Sequence, residues 1–465
     1  MNATTLPAPR KKEFLPDGFR LTVWSKLKPY YEELIKRPVD SAEALNQWIW
    51  DKTELDAVVG EAFAWRYVQV TLDSSDQSAT ELYQYAVQEL YPRIAAIENI
   101  IHRRLIESPY LEQLPPDVFF TYVRGIRNTV ELFTPDNLPL ATEVQLRSRE
   151  YGKIFSEMTI GMNGKQMTLQ KAGTLLEETD RACREAVYHK ISTRILQDVE
   201  QLENLFDELL QKRRAIAANA GFANFRDYKF QELGRFDYTV QDCLDFHDSI
   251  ASQILPLVEN LNEHRRRALG LETLRPWDLN VDTTGRGPLR PFKSTHEFLQ
   301  KSVACLTAVH PFFGEVLTTM RAMNRLDLES RPGKRPGAYN MPLHYSGVPF
   351  IFMNATLLHN DIRTLMHESG HAIHAFLTRD QKLNASRRLP SEIAELASMT
   401  MELLSMEHWH IFFSNKSDLR RAKISQLENV LRILPWIATI DKFQHWAYAH
   451  PEHSRDERKD AWMRI

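Results

Sequence analysis

The chain has 465 residues, which is enough to bury a large core and to form two or three domains. Apolar residues make up 43% and charged residues 26%, the balance of an ordinary globular protein. The formal net charge of -3 gives no overall attraction to nucleic acid or to an anionic membrane, so neither is expected as a partner.

The compartment is predicted from the cysteines and from the N-terminus. Cys183, Cys243 and Cys305 lie far apart, and such an odd, sparse set forms neither a disulfide framework nor a close metal-ligand spacing. Residues 1–19 contain basic side chains without a following apolar run, unlike a secretory signal. No stretch approaches the ~18 apolar residues of a membrane span. These features predict a cytoplasmic protein.

Helical periodicity dominates the chain. Apolar residues recur every three or four positions from Leu82 to Leu105, which predicts one long helix that Pro92 bends without ending. A second long helical stretch is predicted from about 174 to 220. It ends at Gly221, a residue suited to the left-handed position after a helix. A mainly α fold is therefore expected.

A β-hairpin is predicted near residues 156–169. Asn163-Gly164 separates two short runs there, and both turn positions tolerate positive φ. We place the domain division after this hairpin. Residues 1–195 would form an N-terminal helical lobe, and residues 196–465 a second domain that carries the site considered below.

A second β candidate spans Tyr339 to Asn354, and its best strand covers residues 348–353. Proline cannot donate to a ladder on both sides, so Pro349 predicts an edge strand. An edge strand leaves backbone groups free to pair with an extended peptide.

The segment 361–378 is predicted to be helical and carries a His-Glu-x-x-His motif, His367-Glu368-Ser369-Gly370-His371. Residues four apart lie one above the other on a helix, so both imidazoles can chelate one ion. Glu368 points away from the ligand direction and is placed to hold a water bound to the metal. Ser369 and Gly370 have small side chains, which leaves room for close packing against the inner face of this helix. The alternative is an ordinary helix with structural histidines.

Zinc is the predicted ion, one per chain, because it accepts imidazole and carboxylate while keeping a position open for water. Similar ligands also accept cobalt or manganese. Glu395, 24 positions after His371, is the predicted third ligand. Glu392 is the rival, although a carboxylate at a helix start can simply offset the helix dipole.

Two further residues lie near the predicted ligand face. Glu402 is about two helical turns beyond Glu395 and can orient a ligand imidazole, the alternative being a capped or solvated carboxylate. His374 is predicted to pack or hydrogen-bond beside the ligands. A fourth protein ligand would close the catalytic position.

With these residues, the chain resembles the thimet-oligopeptidase family of zinc metallopeptidases, and within it the bacterial oligoendopeptidase F-like branch. The resemblance is strong over about 205–410 and weaker in the N-terminal part. It rests on the following segments: HESGH at 367–371, ELAS at 395–398 with Glu402, GKRPGAY at 333–339, PFIFMN at 349–354, DIRTL at 361–365, RRAIAANAGFANFRDY at 213–228 and RPWD at 275–278.

The resemblance implies a two-lobed, helical zincin-type shell around a deep central channel, with a small β element beside the active site. Such a channel admits short unstructured oligopeptides and excludes folded proteins. The implied zinc ligands and general base are His367, His371 and Glu395, with Glu368. The implied residues for pairing with the substrate backbone are Gly347, Phe350 and Phe352.

We therefore predict a zinc endopeptidase of short oligopeptides that uses metal-activated water. Members of this branch continue past the point where this sequence stops, and their distal segment carries tyrosine and histidine residues facing the scissile carbonyl. We therefore expect the chain ending at Ile465 to be C-terminally truncated. The alternatives are a catalytically impaired peptide-binding protein and a helical scaffold with an accidental motif.

Overall fold

The computed structural model describes residues 6–162 and 164–465. Helices dominate it, which confirms the mainly α prediction. The helices of the first half are α1 Trp24–Lys36, α2 Ala42–Leu72, α3 Gln77–Tyr85, α4 Tyr91–Ile106, α5 Pro116–Leu132, α6 Asn137–Glu157, α7 Leu169–Gly173, α8 Arg181–Gln197 and α9 Val199–Asn219.

The second half contains nine more helices among the residues described, and it includes the two that carry the candidate metal ligands. These helices are α10 Phe225–Glu232, α11 Val240–Gln253, α12 Leu255–Ala268, α13 Thr295–Val309, α14 Pro311–Ala322, α15 His359–Thr378, α16 Ser391–Ser405, α17 Lys416–Ala449 and α18 Arg455–Arg464. No helix within 6–162 or 164–465 combines the length and apolar character needed to cross a bilayer.

The first long predicted helix is continuous from Gln77 to Ile106 but contains an altered turn, and the second is interrupted. A π-helical turn over Ala86–Leu90 joins α3 to α4, just before Pro92. Proline lacks an N–H and crowds the carbonyl four residues earlier, which accounts for the altered turn. The prediction of one helical stretch over 174–220 is wrong, because α8 ends and α9 begins around Asp198. The proposed division after residue 195 thus falls in the last turn of α8. Gly221 has φ +82°, as expected after a helix.

The predicted hairpin is present. Strands β1 (Thr159–Met162) and β2 (Lys165–Thr168) pair antiparallel, with Thr159 opposite Thr168 and Met162 opposite Lys165. Gly164 has φ +74° in the turn. Its predicted turn partner Asn163 lies outside the described residues.

The edge-strand prediction is wrong. Strands β3 (Leu326–Glu329), β4 (Tyr339–Met341) and β5 (Phe350–Ala355) form a sheet in the order β3-β5-β4, parallel on one side of β5 and antiparallel on the other. Pro349 precedes the strand and removes no ladder bond from it. Phe350 and Phe352 lie on this central strand and are 4% and 0% exposed. They are not free to pair with a peptide, because β3 and β4 are the two edge strands of this sheet.

Two main cores hold the described part of the chain together. One lies among α1, α2, α4 and α5, around Trp48 and Tyr31. The other gathers α13, α14, β5, α15 and α16 around Trp409. Helix α15 is therefore packed between the sheet and its neighbouring helices, which fixes the residues of the motif.

The first residue of α15, His359, is expected to make the fold sensitive to acid. The His359 ring is buried against Trp409 and Phe413, with ring centroids 5.1 and 5.9 Å away. Burial lowers the pKa of His359 to about 3. Below pH ~6.5 the His359 imidazole binds a proton in the unfolded chain but stays neutral in the folded chain. Acid should therefore lower the free energy of unfolding by up to about 1.4 kcal/mol per pH unit.

Replacing His359 with phenylalanine should make the free energy of unfolding fall less steeply between pH 6.5 and 4. Urea unfolding at a series of pH values measures this slope. The control is His410→Phe, at an exposed position, which should keep the parent slope. An unchanged slope in His359→Phe would contradict the assignment.

Candidate active site

Helix α15 presents the two motif histidines toward α16. The Asp361 carboxylate accepts hydrogen bonds from the backbone N–H groups of Thr356 and Leu358 (2.8 and 3.1 Å) and so fixes the start of the helix. The rings of His367 and His371 lie 4.9 Å apart between centroids and almost perpendicular, at 88°. Both rings thus occupy one helix face, as the spacing predicts.

The structure brings the three predicted ligands, His367, His371 and Glu395, together in one cluster, called the triad below. Glu395 Oε2 lies 3.2 Å from His367 Nε2, and Glu395 Oε1 lies 3.7 Å from His371 Nε2. One donor atom from each of the three residues lies within 4.8 Å of the others. The set of two imidazoles and one carboxylate suits zinc and leaves a coordination position open.

The close approach of α15 and α16 depends on Gly370. A Cβ atom at this position would lie 2.6 Å from Ser398 Cα and 2.9 Å from the Ala397 carbonyl oxygen. No side chain larger than hydrogen fits there. The two helices therefore meet backbone to backbone, which places Glu395 within reach of the imidazoles.

A series of hydrogen-bonded side chains behind the triad orients the His367 imidazole. His367 Nδ1 lies 2.8 Å from Glu402 Oε1, and the Gln426 amide donates to Glu402 Oε2 at 2.8 Å. The Ser398 hydroxyl donates to Glu395 Oε2 at 3.0 Å. A carboxylate on Nδ1–H leaves Nε2 free for a cation. The sequence analysis missed Ser398, which its three-residue spacing from Glu395 could have revealed, and Gln426, for which there was no local signal.

The charges of the histidines respond to these carboxylates. Burial disfavours the imidazolium of His367, but hydrogen bonds to Glu395 and Glu402 outweigh burial and raise the pKa of His367 to about 10. Burial and the neighbouring His367 charge lower the pKa of His371. The carboxylates of Glu395 and Glu402 thus stabilise a positive charge between them. A site that binds a cation needs the same property.

Glu368 lies beside the triad and is buried. Burial, with the nearby charges of Glu395 and Glu402, raises the pKa of Glu368 to about 7. Among the described residues, its Oε2 atom has no hydrogen-bond partner, while its backbone carbonyl accepts from the Asn340 amide at 3.3 Å. A carboxyl group with a pKa near neutrality can both take up and release a proton.

The remaining predicted residues have different positions. Glu392, the rival ligand, is hydrogen-bonded to Tyr238 and lies 3.3 Å from Arg235, and it is not part of the ligand cluster. His374 and Gly347 both line the same cavity as the triad. Burial lowers the pKa of His374.

The cavity in front of the triad has a volume of about 640 Å³. Its walls come from the β4 edge, α15 and the segment before α16, and include Asn340, His344, Arg379, Arg387 and Arg388. A cleft of this volume is typical for a small ligand or a few peptide residues.

Comparisons with family profiles, related sequences and solved structures all point to the same peptidase family. The profile described as "Peptidase family M3" matches residues 174–465, and "Peptidase M3 N-terminal domain" matches residues 19–133. The plasmid oligoendopeptidase F of Lactococcus lactis subsp. cremoris is 25% identical over 245 residues, 52% of this chain and 39% of that protein. The oligoendopeptidase F homolog of Mycoplasma pneumoniae is 24% identical over 370 residues, 71% of this chain and 55% of that protein.

These two matches thus cover between about two fifths and a little over half of the curated relatives' length. Among solved structures, "PZ peptidase A with inhibitor 2" superposes with a TM-score of 0.91 and 25% identity, covering 96% of this chain and 79% of that one. The oligoendopeptidase-F of Enterococcus faecium has a TM-score of 0.57 and 16% identity, covering 92% and 74%. Because the first profile covers more than half of the chain, this protein belongs to peptidase family M3.

Proposed function

We propose that this chain hydrolyses short, unstructured oligopeptides, with zinc bound by His367, His371 and Glu395 and with Glu368 as the general base. The observation that carries the proposal is the convergence of three donor atoms within 4.8 Å beside a buried carboxyl group. Family membership and the oligopeptidase names of the relatives support the same activity.

A divalent cation at the triad would polarise the peptide carbonyl and acidify an adjacent water molecule. The Glu368 carboxylate takes a proton from that water while the water oxygen attacks the carbonyl carbon of the peptide. The same carboxyl group then passes the proton to the amide nitrogen as the C–N bond breaks. Glu402 keeps the His367 ring in one tautomer and one orientation throughout.

We further propose that the substrate backbone aligns with β4 rather than with β5. Tyr339 and Asn340 on this edge strand line the cavity of the triad. An extended peptide can add to a free sheet edge through main-chain hydrogen bonds. The limited cavity volume favours an extended chain over a folded domain.

The test combines metal analysis with peptide cleavage on one sample. A quenched fluorescent peptide should be cut, cleavage should stop with a chelator, and added zinc should restore it. A folded protein that contains the same peptide sequence serves as the control and should stay intact. Cleavage that survives complete metal removal would contradict the proposal, and peptide binding without turnover would support a peptide-binding protein instead.

Glu402→Gln should weaken metal binding by about ten- to a hundredfold, because the amide cannot replace the carboxylate that holds the His367 ring. Competition with a chromogenic chelator measures this affinity. The control is Glu407→Gln, at an exposed position, which should match the parent. Equal affinities in all three proteins would show that Glu402 does not orient the ligand.

A further inference from the structure

Helices α11 and α17 pack against each other and carry a second group of metal-binding side chains. Cys243 and His247 lie four residues apart on α11, and Asp441 and His445 lie four apart on α17. Residues at this spacing share a helix face. Both pairs face the contact between the helices, where the rings of His247 and His445 meet edge to face at 5.6 Å.

Three of these residues have the geometry of a ligand set. One donor atom each from Cys243, Asp441 and His445 lies within 4.8 Å of the others. His445 Nε2 is 3.4 Å from Asp441 Oδ2, and His247 Nε2 is 2.7 Å from the same oxygen. His247 is therefore placed to hold the carboxylate rather than to complete the set.

The burial of the two histidines is a second observation. His247 is 2% exposed and His445 6%. Within the described ranges, the Nδ1 atom of each ring has no hydrogen-bond partner. A buried polar atom without a partner costs free energy, and the protein groups around these two rings leave that cost uncompensated.

We propose that Cys243, Asp441 and His445 bind one divalent transition-metal ion, separate from the active site, and that His247 positions the carboxylate of Asp441. A set of thiolate, imidazole and carboxylate selects a zinc-like ion over magnesium or calcium, which prefer oxygen ligands. The ion would cross-link helix α11 to helix α17, because the ligands come from both helices.

The experiment uses the full chain with His367→Ala and His371→Ala, which removes both imidazoles of the triad and leaves the second site as the remaining ligand group among residues 6–162 and 164–465. Titration with Co²⁺ should then give about one bound ion per chain and a near-ultraviolet thiolate-to-cobalt charge-transfer absorption. Adding Cys243→Ser should abolish the absorption. Adding Cys183→Ser, the matched control at the other half-buried cysteine, should preserve it.

His247→Gln separates positioning from ligation. It should weaken Co²⁺ binding by about ten- to a hundredfold yet keep the absorption at saturating metal. Thermal unfolding should also shift upward with metal in the chain that retains Cys243 and not in Cys243→Ser. Circular dichroism without metal checks that each variant is folded. The absence of bound cobalt, or an absorption unaffected by Cys243→Ser, would overturn the proposal and leave only ion pairs around Asp441.

Discussion

Replacing Glu368 with glutamine is expected to slow peptide cleavage by about a hundred- to ten-thousandfold, the usual contribution of a positioned general base. Glutamine has nearly the same shape but cannot accept the proton of the attacking water. Metal content should stay at the parent level, because the triad does not include Glu368. Steady-state cleavage of a quenched peptide gives kcat, and elemental analysis gives the metal content.

The control for this variant is Glu392→Gln. Glu392 pairs with Tyr238 and Arg235 and stands apart from the triad, so its replacement should leave kcat within about twofold of the parent, since surface changes away from a site have small effects. Parent-level turnover in Glu368→Gln would eliminate the proposed base. A loss of metal in the same variant would show that Glu368 supports the cation.

Gly370→Ala is expected to lower the free energy of unfolding by about 3 kcal/mol, the upper end of the range for an over-packed core. The added Cβ would meet backbone atoms of Ser398 and Ala397, which cannot rotate away. Helix α16 must then move away from α15 and take Glu395 with it. Metal binding should weaken together with stability, as urea unfolding and chelator competition can measure.

The matched control is Gly125→Ala, inside α5, where an added Cβ meets nothing within 4 Å. Alanine is favoured over glycine in a helix by up to about 1 kcal/mol, so this variant should be as stable as the parent or more stable. If Gly370→Ala binds metal as tightly as the parent, the helix contact does not set the triad geometry.

The parts of the site that lie on one helix were predictable from sequence. His367 and His371 share a face because helical geometry fixes residues four apart, and no tertiary contact is needed to know it. Glu395 was also predictable as a candidate, with Glu392 as its rival, since 24 positions after His371 allow a loop and an antiparallel return of the next helix. Its preference over Glu392 is supported by the ion pair of Glu392 with Arg235, a contact between distant segments.

The order of the strands was not predictable. Pairing of β5 with β3 on one side and β4 on the other joins segments that the sequence does not mark as partners. Residues 348–353 were wrongly predicted to form an edge strand because the sequence does not show whether Pro349 lies inside the strand or just before its first ladder bond. Gln426 and the cluster at Cys243 were missed for the same reason, since each depends on helix α17 meeting an element far away in sequence.

The β4 strand beside the triad and its neighbour β5 are supported by helix α2. The hydroxyl groups of Thr71 on α2 and Tyr339 on β4 lie 2.6 Å apart, and Trp65 of α2 packs against Phe350 with ring centroids at 5.7 Å. Evolutionary change in α2 can therefore tilt this edge while every group that performs the chemistry stays constant. If β4 aligns the substrate as proposed, chimeras that exchange α2 between relatives are expected to alter which peptides are cleaved, even though α2 contributes no residue to the triad.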